Sequence, residues 1–404
     1  MVVKNVYEIL IGNHQIKSIN EFSLLEKAGE HSIFRLSTSY AEIEKTFTSL
    51  SPFLGINRAI NNSIRVKMDS TGSSKGYSSF EFKGIINAMD ISKGYLSPGD
   101  IISIQGYGSS ILLDTISKFR SFENLKLSSI IRKSIEGYNR DKLNVKLSPE
   151  FNDSIPYCVQ YGENAFQFIQ RQAINRNEFL IYNTDTLYFG KLKSRADIRL
   201  NYSGSLLHFN FSTRSPKPEN EINNPIQQVH SEYEKINDNN HIKIVGASTN
   251  HDISIGRIVD IKNGHSSYGK YRVIQVQHII RPDGEYYNHF IAVGADSDFY
   301  IDTEKPRICT DGFQWATVVD NKDPKGHDRI KVQFEWQKES KQSTPWLEPP
   351  LPLTTNSKIK KSVFSIGKKV LINFERNDPE KPFIYPFVYN NADLKQEKIE
   401  LTNS

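Results

Sequence analysis

Apolar and polar residues alternate along most of the chain in short runs that stop at Gly, Asn or Ser. Val3-Lys4-Asn5-Val6-Tyr7-Glu8-Ile9-Leu10-Ile11 ends at Gly12-Asn13 and resumes toward Ile16 and Ile19. A period of two that breaks at a turn signal predicts a half-buried strand leading into a hairpin. Phe80 to Ile86 and Ile101 to Tyr107 have the same character. Helical spacing is rarer. One helical region is expected over Asp114 to Phe119 and then Ser128 to Ile135, the second part opening on a Ser cap. A second runs from Asn164 to Ile174, where Phe166, Ile169 and Ala173 share a face and Asn164 is the N-cap. It is followed by a hairpin, Glu178 to Tyr182 and Thr186 to Gly190, turning at Asn183-Thr184-Asp185.

Two breaks interrupt the pattern. Residues 214 to 240 are polar and rich in Pro and Asn, which predicts a connector, and the pattern restarts after Thr303-Glu304-Lys305-Pro306. The tail after Asn391 is polar and has no partner strand in view. A Gly followed by an alternating strand recurs at Leu96 to Ile104, Ile253 to Ile261 and Phe364 to Ile372. Three such entrances suggest three barrels, although a glycine turn feeding a strand is common to many β proteins.

The chain of 404 residues has room for two to four domains, and 37% apolar residues rich in Ile, Phe and Tyr suit strands. A formal charge of +5, with both signs interleaved, gives no basic stripe of the kind a nucleic-acid binder shows. Lys358, Lys360, Lys361, Lys368 and Lys369 form one local basic stretch, read as a solvated loop and strand edge, with a polyanion contact as the alternative. Cys158 and Cys309 are far apart and lack CxxC spacing, so free thiols are expected. The start has no signal-peptide pattern, and no apolar run reaches membrane-span length. A soluble chain made in the cytoplasm, exported by some other machine, is the expectation.

The chemistry-bearing residues are scattered. The ten histidines form no HExxH, HxH or Cys/His set. His208, His278 and His289 fall in apparent strands and are read as half-exposed surface residues. GxSxG is absent, and the loops at Ser70 to Gly76 and Gly106 to Ser110 do not match a phosphate cradle. Asp320, Asp323, Asp328, Glu375, Asp378 and Glu380 lie in turns beside Lys and Arg, where solubility accounts for them. No catalytic, cofactor-binding or metal-ligating residue is assigned, and enzymatic activity is not expected.

The C-terminal third carries two long specific runs. Phe313 to Trp336 contains Trp315-Ala316-Thr317-Val318-Val319 and Asp328-Arg329-Ile330-Lys331-Val332-Gln333-Phe334-Glu335-Trp336. Ile366 to Asn390 contains Val370-Leu371-Ile372-Asn373-Phe374 and Asn377-Asp378-Pro379-Glu380-Lys381-Pro382. Inward alternation of Val370, Ile372 and Phe374, a proline turn, and Pro382 opening the return strand describe a barrel-closing hairpin. Both runs resemble the OB-fold domain of VgrG proteins. Asp328 stands where that family often has Gly, implying a slightly different turn, and Pro386 where it usually has Gly. Tyr157 to Arg171 is similar to an upstream family segment, with weaker matches at Phe82 to Ile86 and Gly284 to Phe290.

The resemblance implies a mainly β fold, a phage-hub-like double β-barrel region with short helices followed by an OB-fold barrel. The hub-like region would occupy residues 1–305, with barrels at about 1–150 and 190–305 and a helix-hairpin segment at 151–190. The OB domain would occupy 306–392, and 393–404 would lead toward a β-helical needle that this chain does not contain. The function it implies is a homotrimeric spike and hub of a contractile injection system, whether type VI secretion, an extracellular machine or a phage tail. Such a trimer adapts a hexameric Hcp-like tube to a piercing tip, meets baseplate, spike-tip and effector proteins, and is delivered out of the cell or into a target. Cofactors, nucleic acid and stable membrane insertion have no part in it. Two rivals from other classes stay open. One is an OB-fold module binding single-stranded nucleic acid or oligosaccharide, with Trp315, Trp336 and Trp346 as stacking candidates. Against it, Trp315 and Trp336 fall in apparent strands, as core or trimer-contact residues would. The other is a peptidoglycan hydrolase fused to a spike.

Overall fold

The computed structural model describes residues 4–46, 59–71, 79–92, 100–192, 195–202, 204–213, 242–264, 266–295, 308–350 and 364–386. The connector expected over 214–240, the break at 303–306, the tail after Asn391, Gly99, residues 72–76 of the Ser70 loop and Lys358, Lys360 and Lys361 lie outside the described residues.

In chain order the first elements are β1 (Lys4–Ile11), β2 (His14–Ile16), β3 (Glu21–Lys27), β4 (Ile33–Ser39), α1 (Tyr40–Thr46), β5 (Ser63–Thr71), β6 (Ser79–Ser92) and β7 (Ile101–Gly108). They are followed by β8 (Lys118–Lys126), α2 (Leu127–Ser134), β9 (Asn144–Ser148), β10 (Ser154–Glu163), α3 (Ala165–Asn175), β11 (Leu180–Asn183) and β12 (Thr186–Gly190). Next come β13 (Ile198–Asn201), β14 (Leu206–Thr213), β15 (Ile242–Ser248), β16 (Ile258–Asn263), β17 (Ser266–Ile280) and β18 (Tyr286–Gly294). The last four are β19 (Gln314–Asp320), β20 (Lys331–Phe334), β21 (Lys369–Phe374) and β22 (Pro382–Ile384).

These elements form two compact units. One comprises Met1–Asp114, Gly137–Glu150 and Ile169–Glu304, the other Thr115–Glu136, Phe151–Phe168 and Lys305–Ser404. In the first, thirteen strands join one hydrogen-bonded sheet among the described residues, along the path β14-β15-β18-β17-β3-β4-β7-β6-β5-β1-β2, with β16 on β17 and β13 on β16. Strand β17 links two groups of strands. Its first half pairs with β16, its second half with β3, and the ladder to β18 shifts register between Val273 and Gln275. A bulge there lets one long strand change partner without losing its inward alternation.

Period-two burial builds the core. Phe22 and Leu24 of β3 and Phe34 and Leu36 of β4 are fully buried, and Phe34 packs at 6.5 Å from Phe22 and 5.7 Å from Phe82. The Gly12-Asn13 turn joins β1 to β2, with Ile9 opposite Ile16. Two of the three recurring glycine entrances are described, and both glycines have positive φ, +80° at Gly256 and +89° at Gly367. At Gly256 the backbone conformation is what favours glycine, since the nearest atom a Cβ would meet, at 2.6 Å, is the movable end of the Leu192 side chain.

Asn164 caps α3 as expected, and the cap is reciprocal. Its Oδ1 accepts the Gln167 N–H at 2.8 Å while Gln167 Oε1 accepts the Asn164 N–H at 3.1 Å, a capping box. Phe166, Ile169 and Ala173 are all buried. Residues 114–119 are not helical. Lys118 and Phe119 begin β8, which pairs antiparallel with β10. The run Lys118-Phe119-Arg120-Ser121-Phe122-Glu123 is short enough to satisfy either period, and pairing with β10 decides it. Helix α2 is not opened by a Ser side chain either. Asn152 Oδ1 accepts the Ser128 N–H at 3.0 Å from outside the helix.

His208 and His289 are exposed, with rings 6.3 Å apart, but His278 is wholly buried. Its Nδ1 lies 2.7 Å from the Tyr286 hydroxyl and its Nε2 3.3 Å from Glu26 Oε2. Asn288 Nδ2 donates to the same hydroxyl and to the Asn250 carbonyl, and the His251 ring lies tilted against Tyr286 at 4.3 Å. Alternation places His278 on an inner face. Only the fold supplies Glu26 and Tyr286 as its partners.

Candidate functional site

The C-terminal domain is organised by the alternation of its strands. The sheet order is β20-β19-β21-β22, all antiparallel. Ala316 and Val318, Val332 and Phe334, and Val370, Ile372 and Phe374 point inward, with Ile330, Leu347, Phe364 and Ile384 closing the core. Trp336 is not in a strand but in a 3-10 turn, Glu335–Gln337, that ends β20. There its ring lies parallel to Phe334 at 5.3 Å, and Phe334 in turn stacks on Phe374 at 5.6 Å. Trp336 Nε1–H donates to Gln314 Oε1 at 3.2 Å.

The acidic turn residues do more than keep the surface soluble. Asp323 accepts the backbone N–H of Lys325 and of His327, each at 3.0 Å, and takes both Nε and Nη2 of Arg329 at 2.8 Å. The guanidinium beside it holds its carboxyl below the usual carboxylate range. Asp320 and Asp378 cap turns through the Lys322 and Glu380 N–H groups. Asp328 has φ +58°, the left-handed conformation that glycine enters freely, so the substitution keeps a glycine-like backbone at this turn. The described part of the basic stretch, Lys368 and Lys369, lies on the solvent side at the start of β21.

On the outward side of β19, β21 and β22 an exposed aromatic group lies beside polar Thr317, Lys369 and Asn373. Trp315 is 56% exposed, Phe383 41% and Tyr385 39%, with Phe313 against Tyr385 at 4.6 Å. Register explains the grouping. Trp315 lies opposite Leu371, the Tyr385 N–H bonds the Leu371 carbonyl, and Asn373 lies opposite Phe383. Scattered surface hydrophobics need no explanation, whereas several exposed aromatics brought to one side of a sheet do. Trp346 lies elsewhere, under the Lys331 ammonium at 5.6 Å.

Strands β8 and β10 pack against this same domain. One ribbon face carries Phe122 and Cys158, which join Ile130 and Phe168 in a small core. The other carries Phe119, Ser121 and Glu123 with Tyr157, Val159 and Tyr161. That face meets the 3-10 turn. Gln337 is buried, its Oε1 accepting the Phe334 N–H and its Nε2 donating to Ser121 Oγ at 2.6 Å and the Tyr157 hydroxyl at 3.2 Å. Gln342 Oε1 accepts the Ser121 N–H at 2.6 Å, and Lys331 Nζ reaches both Glu123 oxygens at 2.6 and 2.7 Å. Glu380 accepts the Val159 N–H, and Gln314 Nε2 donates to the Tyr161 hydroxyl at 2.7 Å. Burial pushes the Tyr157 hydroxyl far above its usual pKa. The segment Tyr157 to Tyr161 stands out in the sequence, but Gln314, Gln337 and Gln342 carry no local signal.

A cleft of about 590 Å³ in this unit is lined by Ser117, Lys118, Phe119, Arg120, Trp336, Glu339 and Ser340. Arg120 is committed, its guanidinium donating to the Lys133 and Ser134 carbonyls at the end of α2. Among the described residues no group of three or more His, Cys, Asp or Glu is spaced to hold a metal ion. The domain's surface features are thus a clamped loop, an aromatic face and a polar seam.

A family profile described as the type VI secretion system/phage-baseplate injector OB domain matches residues 314–389. By this match the C-terminal domain is similar to an injector OB domain. The fold of the whole chain extends the likeness. It is similar to an E. coli type VI secretion component described as resembling the T4 tail proteins gp27 and gp5, with TM-score 0.63 and 13% identity over 93% of this chain and 98% of that one. It is also similar to a Francisella PdpA–VgrG complex chain, with TM-score 0.60 and 10% identity over 96% of this chain and 72% of that one. A tail protein of Neisseria meningitidis matches at TM-score 0.53 and 9% identity, over 74% of this chain and all of that one. No curated protein matches the sequence significantly. The profile match covers the C-terminal domain, and the fold of the chain is shared with these injector and phage-tail proteins. No helix among the described residues is long and apolar enough to cross a membrane.

Proposed function

We propose that this chain is the spike and hub subunit of a contractile injection machine. It assembles as a trimer, meets a hexameric Hcp-like tube at its hub end and carries a piercing tip and effectors at the other, with baseplate proteins around it. The supporting observation is the union in one chain of a hub-like fold and an injector OB domain, in that order. On this reading the hub region takes up residues 1–305 and the OB domain 306–392. The two groups of strands that meet where β3 pairs with β17 serve, on the same reading, as two similar faces of each subunit, and three subunits then offer six to a six-fold tube. The aromatic face of Trp315, Phe383 and Tyr385 is suited to burial between copies. No step of this role makes or breaks a covalent bond.

Light scattering on the purified chain tests the assembly. Three chain masses, with retention on an immobilised Hcp-like tube, support the role. A monomer that elutes from single-stranded DNA only at raised salt would overturn it for the nucleic-acid module. Release of soluble fragments from peptidoglycan would overturn it for the hydrolase.

A further inference from the structure

The compact unit that holds the injector OB domain is assembled from three stretches of chain, and two of them, 115–136 and 151–168, come from within the region that precedes it. The chain therefore passes between its units at 114/115, 136/137, 150/151, 168/169 and 304/305. A domain appended by a tail would need only the last of these. We propose that the β8–β10 ribbon is a clasp that bears load, so that thrust on the OB domain is carried by the ribbon and its four crossings as well as by the connection at residue 305. Its mechanical purpose rests on the reading of the protein as a driven spike; the clasp itself does not.

The contact is built for register rather than for general adhesion. Gln337 uses its side-chain carbonyl on Phe334 of β20 and its amide nitrogen on the ribbon, where only one alignment satisfies Ser121 and Tyr157 together. The Lys331–Glu123 pair is mostly shielded, and Glu380 and Gln342 each accept a ribbon N–H that faces away from the β8–β10 ladder. Phe119, Tyr161 and Trp336 supply the apolar part, with ring centroids 4.9 to 6.5 Å apart. A slip of one residue would turn Ser121, Glu123 and Tyr157 to the wrong face and lose all of these at once.

The test uses the full chain and a charge swap. Glu123→Lys and Lys331→Glu each break the pair, and the double variant restores it with reversed polarity. Hydrogen exchange read at β8, β10, β19 and β20 should rise about tenfold or more in each single variant, in the ribbon and the OB strands together, and return to within about threefold in the double. In single-molecule pulling from the two ends, the ribbon and the OB domain should unfold in one step in the natural chain and the double variant, and in two steps in either single variant. Exchange that rises only in the ribbon, or an OB domain that unfolds at an unchanged force in every variant, would overturn the clasp. Failure of the spike reading has a different signature, a monomeric chain that ignores the tube yet still shows coupled exchange.

Discussion

Asp323 and Arg329 meet through two parallel hydrogen bonds, Nε and Nη2 each 2.8 Å from a carboxylate oxygen, while the same carboxylate receives the Lys325 and His327 amides. One side chain thus closes the loop between β19 and β20 from both ends. Arg329→Lys keeps the charge but loses the two-point geometry, and Asp323→Asn loses the charge. Each is expected to speed amide exchange at Lys325 and His327 while leaving the core strands protected. The sign of the acid response follows from a carboxyl whose pKa is depressed in the folded chain. Its stabilisation is complete above the unfolded value of about 4 and is lost as pH falls below that toward the folded value. Loop exchange measured from pH 5 downward should show it, and Asp323→Asn should abolish the dependence.

Phe334 sits between Trp336 and Phe374 with essentially no exposure. Truncation removes two stacking contacts and leaves a cavity, so Phe334→Ala should cost about 3–5 kcal/mol in denaturant unfolding. The tryptophans report the same geometry optically. Emission from Trp315 should be quenched by iodide more strongly than that from half-buried Trp336.

Burial lowers the pKa of His251 to about 4, its ring against Tyr286 in the polar cluster around His278. Asp252 opposes that shift and His278 adds to it. Because the folded value lies below the unfolded 6.5, the unfolded chain binds more protons between those limits. Stability is full above pH 6.5 and falls as pH drops toward 4, by about 3 kcal/mol in all. Chemical denaturation at pH 7 and pH 4.5 should differ accordingly, and His251→Phe should flatten the difference. A variant as pH-sensitive as the natural chain would remove His251 as the cause.

Much of the architecture is local and therefore legible. Alternation marks β1, β7 and β21, Asn164 marks the start of α3, and two long motifs mark the OB domain. What escaped is set by partners remote in sequence. Residues 118–119 look helical until β10 pairs with them, His278 looks like surface until Glu26 and Tyr286 arrive, and Gln337 is unremarkable until it is buried against Ser121 and Tyr157. Glu380 and Asp323 have the composition of solubilising turns, and only coordinates separate a solvated carboxylate from one that accepts several N–H groups.

The aromatic face makes the most direct prediction for assembly. Trp315 is 56% exposed and directed away from the core that Ala316 and Val318 enter. Replacing it with Asp should leave the stability of the single chain within about 0.5 kcal/mol, as for other surface positions. In a trimer that buries this face, the same change places a charge in an apolar contact, and the cost is repeated in each subunit. Trp315→Asp and Tyr385→Asp should therefore shift the mass in solution from three chains toward one while the far-ultraviolet circular dichroism of the folded chain is unchanged. Lys325→Asp, exposed in the loop between β19 and β20 and off the outward positions of the strands, is the control and should leave the mass unaltered. If both aromatic variants remain trimeric, the face is not the seam between copies and the hub region must hold the assembly by itself.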